Sequence, residues 1–264
     1  MQHSPRKRFG QNFLHDPFII RRILSAIAPA PTDRLVEIGP GQGAITTGLL
    51  AATGSLDAIE LDRDLIAPLT ARCKHLGHLR VHNADALSID LCSLAVGAER
   101  LRVIGNLPYN ISTPLLFKFL EQADCIQDMH FMLQREVVER ITAAPGSKVY
   151  GRLSVMVQAY CSATALFVIG PGAFQPAPKV DSAFLRLVPH RPLQVPIQDA
   201  AALSQLVARA FAQRRKTLRN SLKGLASADL MTSLGIDPGK RAEELDVATF
   251  IELANAACKS DFQT

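Results

Sequence analysis

With 264 residues and 48% hydrophobic content, the chain can bury one substantial core and a smaller second domain. No apolar run approaches the roughly 20 residues needed to span a bilayer. The charged stretch Met1–Arg8 has no apolar h-region after it, so membrane or secreted classes are not expected and a cytoplasmic protein is. A net charge of +5 points to a polyanionic partner, and five scattered cysteines without a C-x-x-C pair argue for reduced thiols and against a zinc site.

Asp16 followed by Pro17 and an apolar run marks a helix start, with proline at the first helical position. Leu35–Gly43 (LVEIGPGQG) then carries an apolar strand, from Arg34 to Ile38, straight into glycines 39, 41 and 43 and a helix from Ala44 to Ala52. Glycine lets the backbone turn sharply and approach a ligand, and the helix start offers free N–H groups. The third glycine comes one residue too early for G-x-G-x-x-G, and Pro40 removes a donor that a pyrophosphate would want, so a nicotinamide dinucleotide fold is disfavoured.

Strands follow over Leu56–Glu60, Leu79–Asn83, Leu101–Gly105 and Met129–Gln134, alternating with helices, which requires parallel pairing. Glu60 ends its strand about 20 residues past the glycine loop, where a ribose-binding carboxylate belongs. Asp62 and Asp64 suit the N-terminal turn of the next helix. Asp85, just past the following strand, can accept from an adenine amine. Gly39, Glu60 and Asp85 at consecutive strand ends suit a nucleoside without a pyrophosphate, and S-adenosylmethionine fits that description. His75, His78 and His82 straddle a helix end, a turn and a strand, a pattern of solvated histidines more than of ligands.

Asn106–Tyr109 (NLPY) follows the buried strand Leu101–Gly105 at its carboxyl end, where open α/β sheets bind ligands. Asn and Pro also favour plain turns. The Asn106 oxygen and the Leu107 carbonyl, fixed by Pro108, can accept two N–H bonds from an exocyclic amine, while the Tyr109 ring stacks on a base. Ser112–Pro114 is expected to cap a helix over Leu115–Gln122. Ala165–Ile169 and Ser182–Val188 are expected to form an antiparallel ribbon at the sheet edge. His190–Pro196 reads as a linker, and helical periodicity fills the remainder. There Arg209, Arg214, Arg215, Lys216, Arg219 and Lys223 crowd one region, as Arg6, Lys7 and Arg8 do at the start. Arg215, Arg219 and Lys223 at i, i+4 and i+8 would share one helical face, with Val207, Phe211, Leu218 and Leu222 on another stripe. Phosphate contact is favoured over a merely solvated face.

Seven stretches in this order resemble the bacterial ribosomal RNA adenine dimethyltransferases, the small-subunit enzymes associated with kasugamycin sensitivity: Arg8–Leu14, Val36–Gly41, Ile59–Asp62, Asn83–Asp85, Gly105–Ser112, Lys179–Ser182 and Gln213–Thr217. The resemblance covers nearly the whole chain. One departure is Ala177, where many relatives carry proline in the loop Phe174–Lys179. The resemblance implies an α/β fold: a Rossmann-like class I methyltransferase sheet over residues 1–189 and a small all-helical, RNA-binding domain over 190–264. It also implies Asn12, Leu14, Gly39, Gly41, Glu60, Asp85 and Asn106 around S-adenosylmethionine. Asn106, Leu107, Pro108 and Tyr109 would hold the target adenine, with Phe174 closing its other face. A core aromatic is an equally good reading of Phe174. Arg214, Arg215, Lys216, Arg219 and Lys223 would meet 16S ribosomal RNA of the small subunit or its precursor, bound by a monomer. A methyltransferase for another RNA or for DNA, and a non-catalytic ribosome assembly factor, are the competing readings.

Overall fold

The computed structural model describes residues 11–260 except Val96 and Ala98, so Arg6, Lys7 and Arg8 lie outside the described residues. The chain divides into two compact units, one running to Val138 and resuming over Thr164–Pro189, the other made of Glu139–Ala163 and the chain from His190 onward. A division falls at 189/190, as expected, but residues 139–163, expected in the first unit, cluster with the helical part. The cause is aromatic packing, since Tyr150 is buried and meets Phe211 edge-on at 6.0 Å, and Phe211 in turn meets Phe250 at 5.6 Å.

In chain order the first unit contains β1 (Phe13–Leu14), α1 (Pro17–Ile27), β2 (Arg34–Ile38), α2 (Thr46–Thr53), β3 (Ser55–Glu60), α3 (Arg63–Cys73), β4 (His78–Asn83) and β5 (Leu101–Asn106). It continues with α4 (Ser112–Leu120) and β6 (Ile126–Gln134), and later holds β8 (Phe174–Gln175) and β9 (Ser182–Pro189), while β7 (Cys161–Ile169) crosses the division at Ala163. The main sheet runs β4-β3-β2-β5-β6-β9-β7. The strands from β4 to β6 are parallel and β9 is antiparallel to β6. Strand order reverses between β2 and β5, which places a ligand crevice at their carboxyl ends.

Each face of the sheet is buried for a readable reason. Leu35, Leu56, Ile104, Met132 and Phe184 pack on one side with Ile23 and Ile27 of α1, Leu49 and Leu50 of α2 and Leu69 of α3. On α4, Phe119 stacks on Phe131 of β6 at 5.5 Å. Burial of each such side chain contributes about 1.5–3 kcal/mol. Asp16 caps α1 by accepting from the Phe18 and Ile19 amides, as the Asp-Pro pair predicts. At the other end, Arg102 donates to the Ile27 and Ala28 carbonyls while pairing with Asp33 and Asp128, so a buried cation meets the negative helix terminus.

Three local expectations are corrected. Ser112 is the first residue of α4 rather than its cap: Ile111 occupies that position, and the Ser112 hydroxyl donates to the Tyr109 carbonyl at 3.2 Å. Cys92 and Cys125 are joined in a disulfide with Cα atoms 5.4 Å apart, contrary to the reading of uniformly reduced thiols. Gln122 brings the two segments together, its side chain accepting from the Leu91 amide at 2.6 Å. Among the histidines, His82 meets the buried carboxylate of Asp57 at 2.7 Å, where Arg34 also pairs.

The helical unit holds α6 (Arg152–Gln158), α7 (Ala200–Ala210), α8 (Leu218–Ser221), α9 (Ala228–Ser233) and α10 (Val247–Ser260), and α5 (Arg135–Ile141) precedes them across the division. α7 packs against α6 and α10, burying Leu203, Leu206, Val207, Phe250 and Leu253. Among the described residues no helix is long and apolar enough to cross a membrane.

Candidate active site

A cavity of about 380 Å³ opens where β2, β3, β4 and β5 end, lined by the glycine loop, Glu60, Asp85 and the segments 11–14 and 106–111. All of these belong to the first unit. The loop turns because Gly39 and Gly41 take left-handed φ values of +66° and +57°. Behind it, Gly105 lets β5 approach β2, since a Cβ there would lie 2.8 Å from the Ile38 carbonyl oxygen.

Glu60 is oriented by backbone. Its two oxygens accept from the amides of Gly41 at 3.1 Å and Asp62 at 2.8 Å, while burial raises the pKa of its carboxyl and those bonds lower it. Asp62 then caps α3, accepting from the Asp64 amide, and also accepts from the Gln11 side chain at 3.1 Å. The Asn83 side chain donates to the Glu60 carbonyl at 2.8 Å and so ties the β4 end to the β3 end. Beyond it, exposed Asp85 uses one oxygen to accept from the Leu87 amide at 2.9 Å.

At β5, the Asn106 side-chain nitrogen donates to the Asn12 carbonyl at 3.0 Å. A carbonyl can only accept, so the NH₂ must face segment 11–14 and Oδ1 remains the acceptor end of this amide. Leu107 is buried, so its chemistry is confined to its backbone carbonyl. Pro108 lines the cavity beside it, and the Pro108 carbonyl accepts from the Ile111 amide at 3.1 Å, closing the bend. Tyr109, half-buried at the wall, is hydrogen-bonded through its hydroxyl to Ser182 at 2.6 Å.

The N-terminal segment reaches this site through β1, which pairs antiparallel with β8: Phe13 faces Gln175 and Leu14 faces Phe174. Asn12 and Leu14 both line the cavity, as expected. Phe174 does not. Strand alternation turns Gln175 outward and Phe174 inward, where it is 2% exposed among Leu14, Ile23, Ile169 and Phe184. Of its two readings, this structure presents the core aromatic.

One lining residue was not foreseen from the sequence. Glu37 is wholly buried on β2 beneath the glycine loop, and burial pushes its carboxyl up to about 7. The charge of Glu60 pushes the same way, and the Thr46 hydroxyl lowers it without closing a hydrogen bond of good geometry, leaving Oε2 without a partner. An acid amid the apolar run Leu35–Ile38 was the available signal.

The sequence profile of the family described as ribosomal RNA adenine dimethylase matches residues 2–259. The chain belongs to this family. It is 58% identical to ribosomal RNA small subunit methyltransferase A of Methylococcus capsulatus, an alignment covering 96% of this chain and 98% of the relative. Identity to the protein of the same description from Marinomonas is 52%, over 98% of this chain and 97% of that one. Among solved structures, a dimethyladenosine transferase from Plasmodium falciparum superposes with a TM-score of 0.82 at 26% identity, covering 94% of this chain and 98% of that one. The enzyme is thus an S-adenosylmethionine-dependent ribosomal RNA adenine dimethylase.

The basic segment is built differently from its sequence expectation. α7 ends at Ala210 and α8 covers only Leu218–Ser221, so Arg215, Arg219 and Lys223 do not share one helical face. The Phe211 amide makes a last helical bond to the Val207 carbonyl, the Ala212 amide then bonds one residue nearer, to Arg209, and the amides of Leu218 and Arg219 bond to the Lys240 and Pro238 carbonyls instead, so a turn intervenes. Arg214, Arg215, Lys216, Arg219 and Lys223 are nevertheless all exposed, with Val207, Leu218 and Leu222 buried beneath. The same contacts add cations that the sequence did not connect: exposed Lys240 and Arg241 lie against residues 217–219, and Arg214 donates to the Lys148 carbonyl at 2.8 Å.

Proposed function

We propose that the protein converts two adjacent adenosines near the 3′ end of 16S ribosomal RNA to N6,N6-dimethyladenosine, acting as a cytoplasmic monomer on the small subunit or its precursor. The observation that carries this reading is the forced orientation of the Asn106 amide beside Tyr109 at the β5 end.

Bound S-adenosylmethionine supplies an activated methyl on sulfonium. The donor set fits it: Glu60 is aimed for ribose hydroxyls and Asp85 for an adenine amine.

Adenine N6 is a poor nucleophile because its lone pair is delocalised into the ring. Asn106 Oδ1 and the Leu107 carbonyl accept its two hydrogens, hold the amine as it pyramidalises and stabilise the positive charge that develops on nitrogen. Tyr109 stacks on the base. No strong general base is required, because the amine becomes acidic only after the methyl arrives. Rate therefore comes from alignment and from exclusion of water. In the second transfer one N–H remains, so one of the two acceptors no longer contributes. Exposed Arg214, Arg215, Lys216, Arg219 and Lys223 contact RNA phosphates.

Incubation with labelled S-adenosylmethionine and small subunits lacking the modification, followed by nucleoside analysis, tests this. Label should appear in N6,N6-dimethyladenosine. Label in another nucleoside, or none on a substrate that a relative methylates, overturns it.

A further inference from the structure

Lys179–Ser182 is a motif of the resemblance that the reaction above leaves without a role. Ser182 is the first residue of β9 and is fully buried. Its backbone is fixed by the ladder that sets it opposite Gln134, and the preceding Asp181 carbonyl accepts from the Arg135 amide at 2.9 Å. Two residues on, Phe184 enters the core. The serine hydroxyl is therefore presented from a rigid base, and its partner is the hydroxyl of Tyr109 at 2.6 Å.

Tyr109 is then held at both ends. Its carbonyl accepts from Ser112, and its hydroxyl, at the far end of the ring, is bonded to Ser182. Stacking on a base uses the face of a six-membered ring, which phenylalanine would supply equally well. The hydroxyl adds a fixed point for the ring plane.

We infer that Ser182 is a positioning residue for methyl transfer: it holds the Tyr109 ring at the angle from which the target adenine is aligned. This rests on the proposed stacking role of Tyr109. The second transfer depends on the alignment more than the first, because N6-methyladenine keeps a single N–H for the acceptors at Asn106 and Leu107.

The test uses Ser182→Ala, Tyr109→Phe, the double variant and Tyr109→Ala in the full-length enzyme, with small subunits lacking the modification as substrate. Ser182→Ala and Tyr109→Phe should each lower kcat by about tenfold, as loss of one orienting hydrogen bond at an aligned centre does. KM for the subunit and Kd for S-adenosylmethionine should stay within about twofold of the parent. The double variant should be no slower than either single one, since both remove the same bond. N6-monomethyladenosine should accumulate at partial conversion in all three. A purely structural serine would reduce thermal stability while leaving kcat and the mono-to-dimethyl ratio unchanged. Tyr109 is only half-buried, so Tyr109→Phe reports even where Ser182→Ala impairs folding. Parent-like kcat and product ratio in Tyr109→Phe, or multiplying losses in the double variant, overturn the inference. A parent-like Tyr109→Ala overturns the stacking role itself.

Discussion

In the sheet unit, the candidate site is built of side chains whose positions are already set by hydrogen bonds. Glu60 is held by two amides, Asn106 by a carbonyl and Tyr109 by a buried hydroxyl. In the helical unit, Arg215, Lys216, Arg219 and Lys223 stand in solvent on a turn and one short helix, with their order in space imposed by bonds to residues 238–241. Fixed groups give direction, which catalysis on a weak nucleophile demands. Exposed cations give attraction to phosphate, which tolerates displacement and yields to salt. Substitutions in the two regions should therefore fail differently.

The largest effect should come from Glu60→Ala. A carboxylate hydrogen-bonded to ribose is worth about 1.5–3 kcal/mol per bond, so removal of two bonds should abolish measurable S-adenosylmethionine binding. Affinity for the small subunit should remain within a few-fold of the parent. Calorimetry with the cofactor and filter binding with subunits read the two halves separately. Loss of both in a folded variant would show that cofactor binding also orders the RNA surface. Asn106→Ala comes next, with a loss of at least about 2 kcal/mol of transition-state stabilisation, by analogy with removal of one oxyanion hydrogen bond. Near-normal turnover would remove Asn106 from the reacting centre.

The same contrast explains what was legible in the sequence. β2 appears over the residues expected, and β3, β4 and β5 each within one residue, because short apolar runs ending in glycine, acid or Asn-Leu-Pro carry their own boundaries. The candidate site residues Gly39, Glu60, Asp85 and Asn106 sit at or just past those boundaries, and spacing points to them as residues that line the cavity. Glu37 and Ser182 could not, since one is hidden within a strand and the other gains its partner across 73 residues. Phe174 turned on which way a two-residue strand faces, which pairing with β1 decides. The basic stripe is interrupted because helical periodicity does not continue through 211–217, beyond which the 218 and 219 amides bond to a distant loop in place of the preceding helical turn. Residues 139–163 cluster with the helical unit for a similar reason, as Tyr150 finds its aromatic partner some 60 residues onward.

Within the cavity, Glu37 offers a pH-dependent test. Its carboxyl is raised from 4.5 to about 7 by burial, so the folded protein keeps a proton that the unfolded chain releases. Stability from this group is full below pH 4.5 and is lost as pH rises through about 7. Glu37→Gln cannot titrate. Denaturant unfolding across pH 4.5 to 8 should show the parent losing up to about 3 kcal/mol relative to that variant, with the change complete near neutrality. Parallel profiles would place the carboxyl's proton elsewhere.

The smallest effect belongs to the basic surface. Arg215→Glu and Arg219→Glu together remove two exposed cations of the helical unit, whereas the cavity is lined by the sheet unit, so methyl-donor affinity should be unchanged. If each meets one phosphate, the slope of log affinity for RNA against log salt should flatten by about one unit for every phosphate no longer neutralised. At low salt the doubly substituted protein should bind clearly more weakly than the parent, and the two should converge as salt rises, because screening removes from the parent what the substitutions remove from the variant. A titration series with small subunits at several salt concentrations measures this directly. An unchanged slope would make Arg215 and Arg219 a solvated surface, leaving RNA binding to other cations of the same patch, among which Lys240 and Arg241 are already tied by the backbone to residues 217–218.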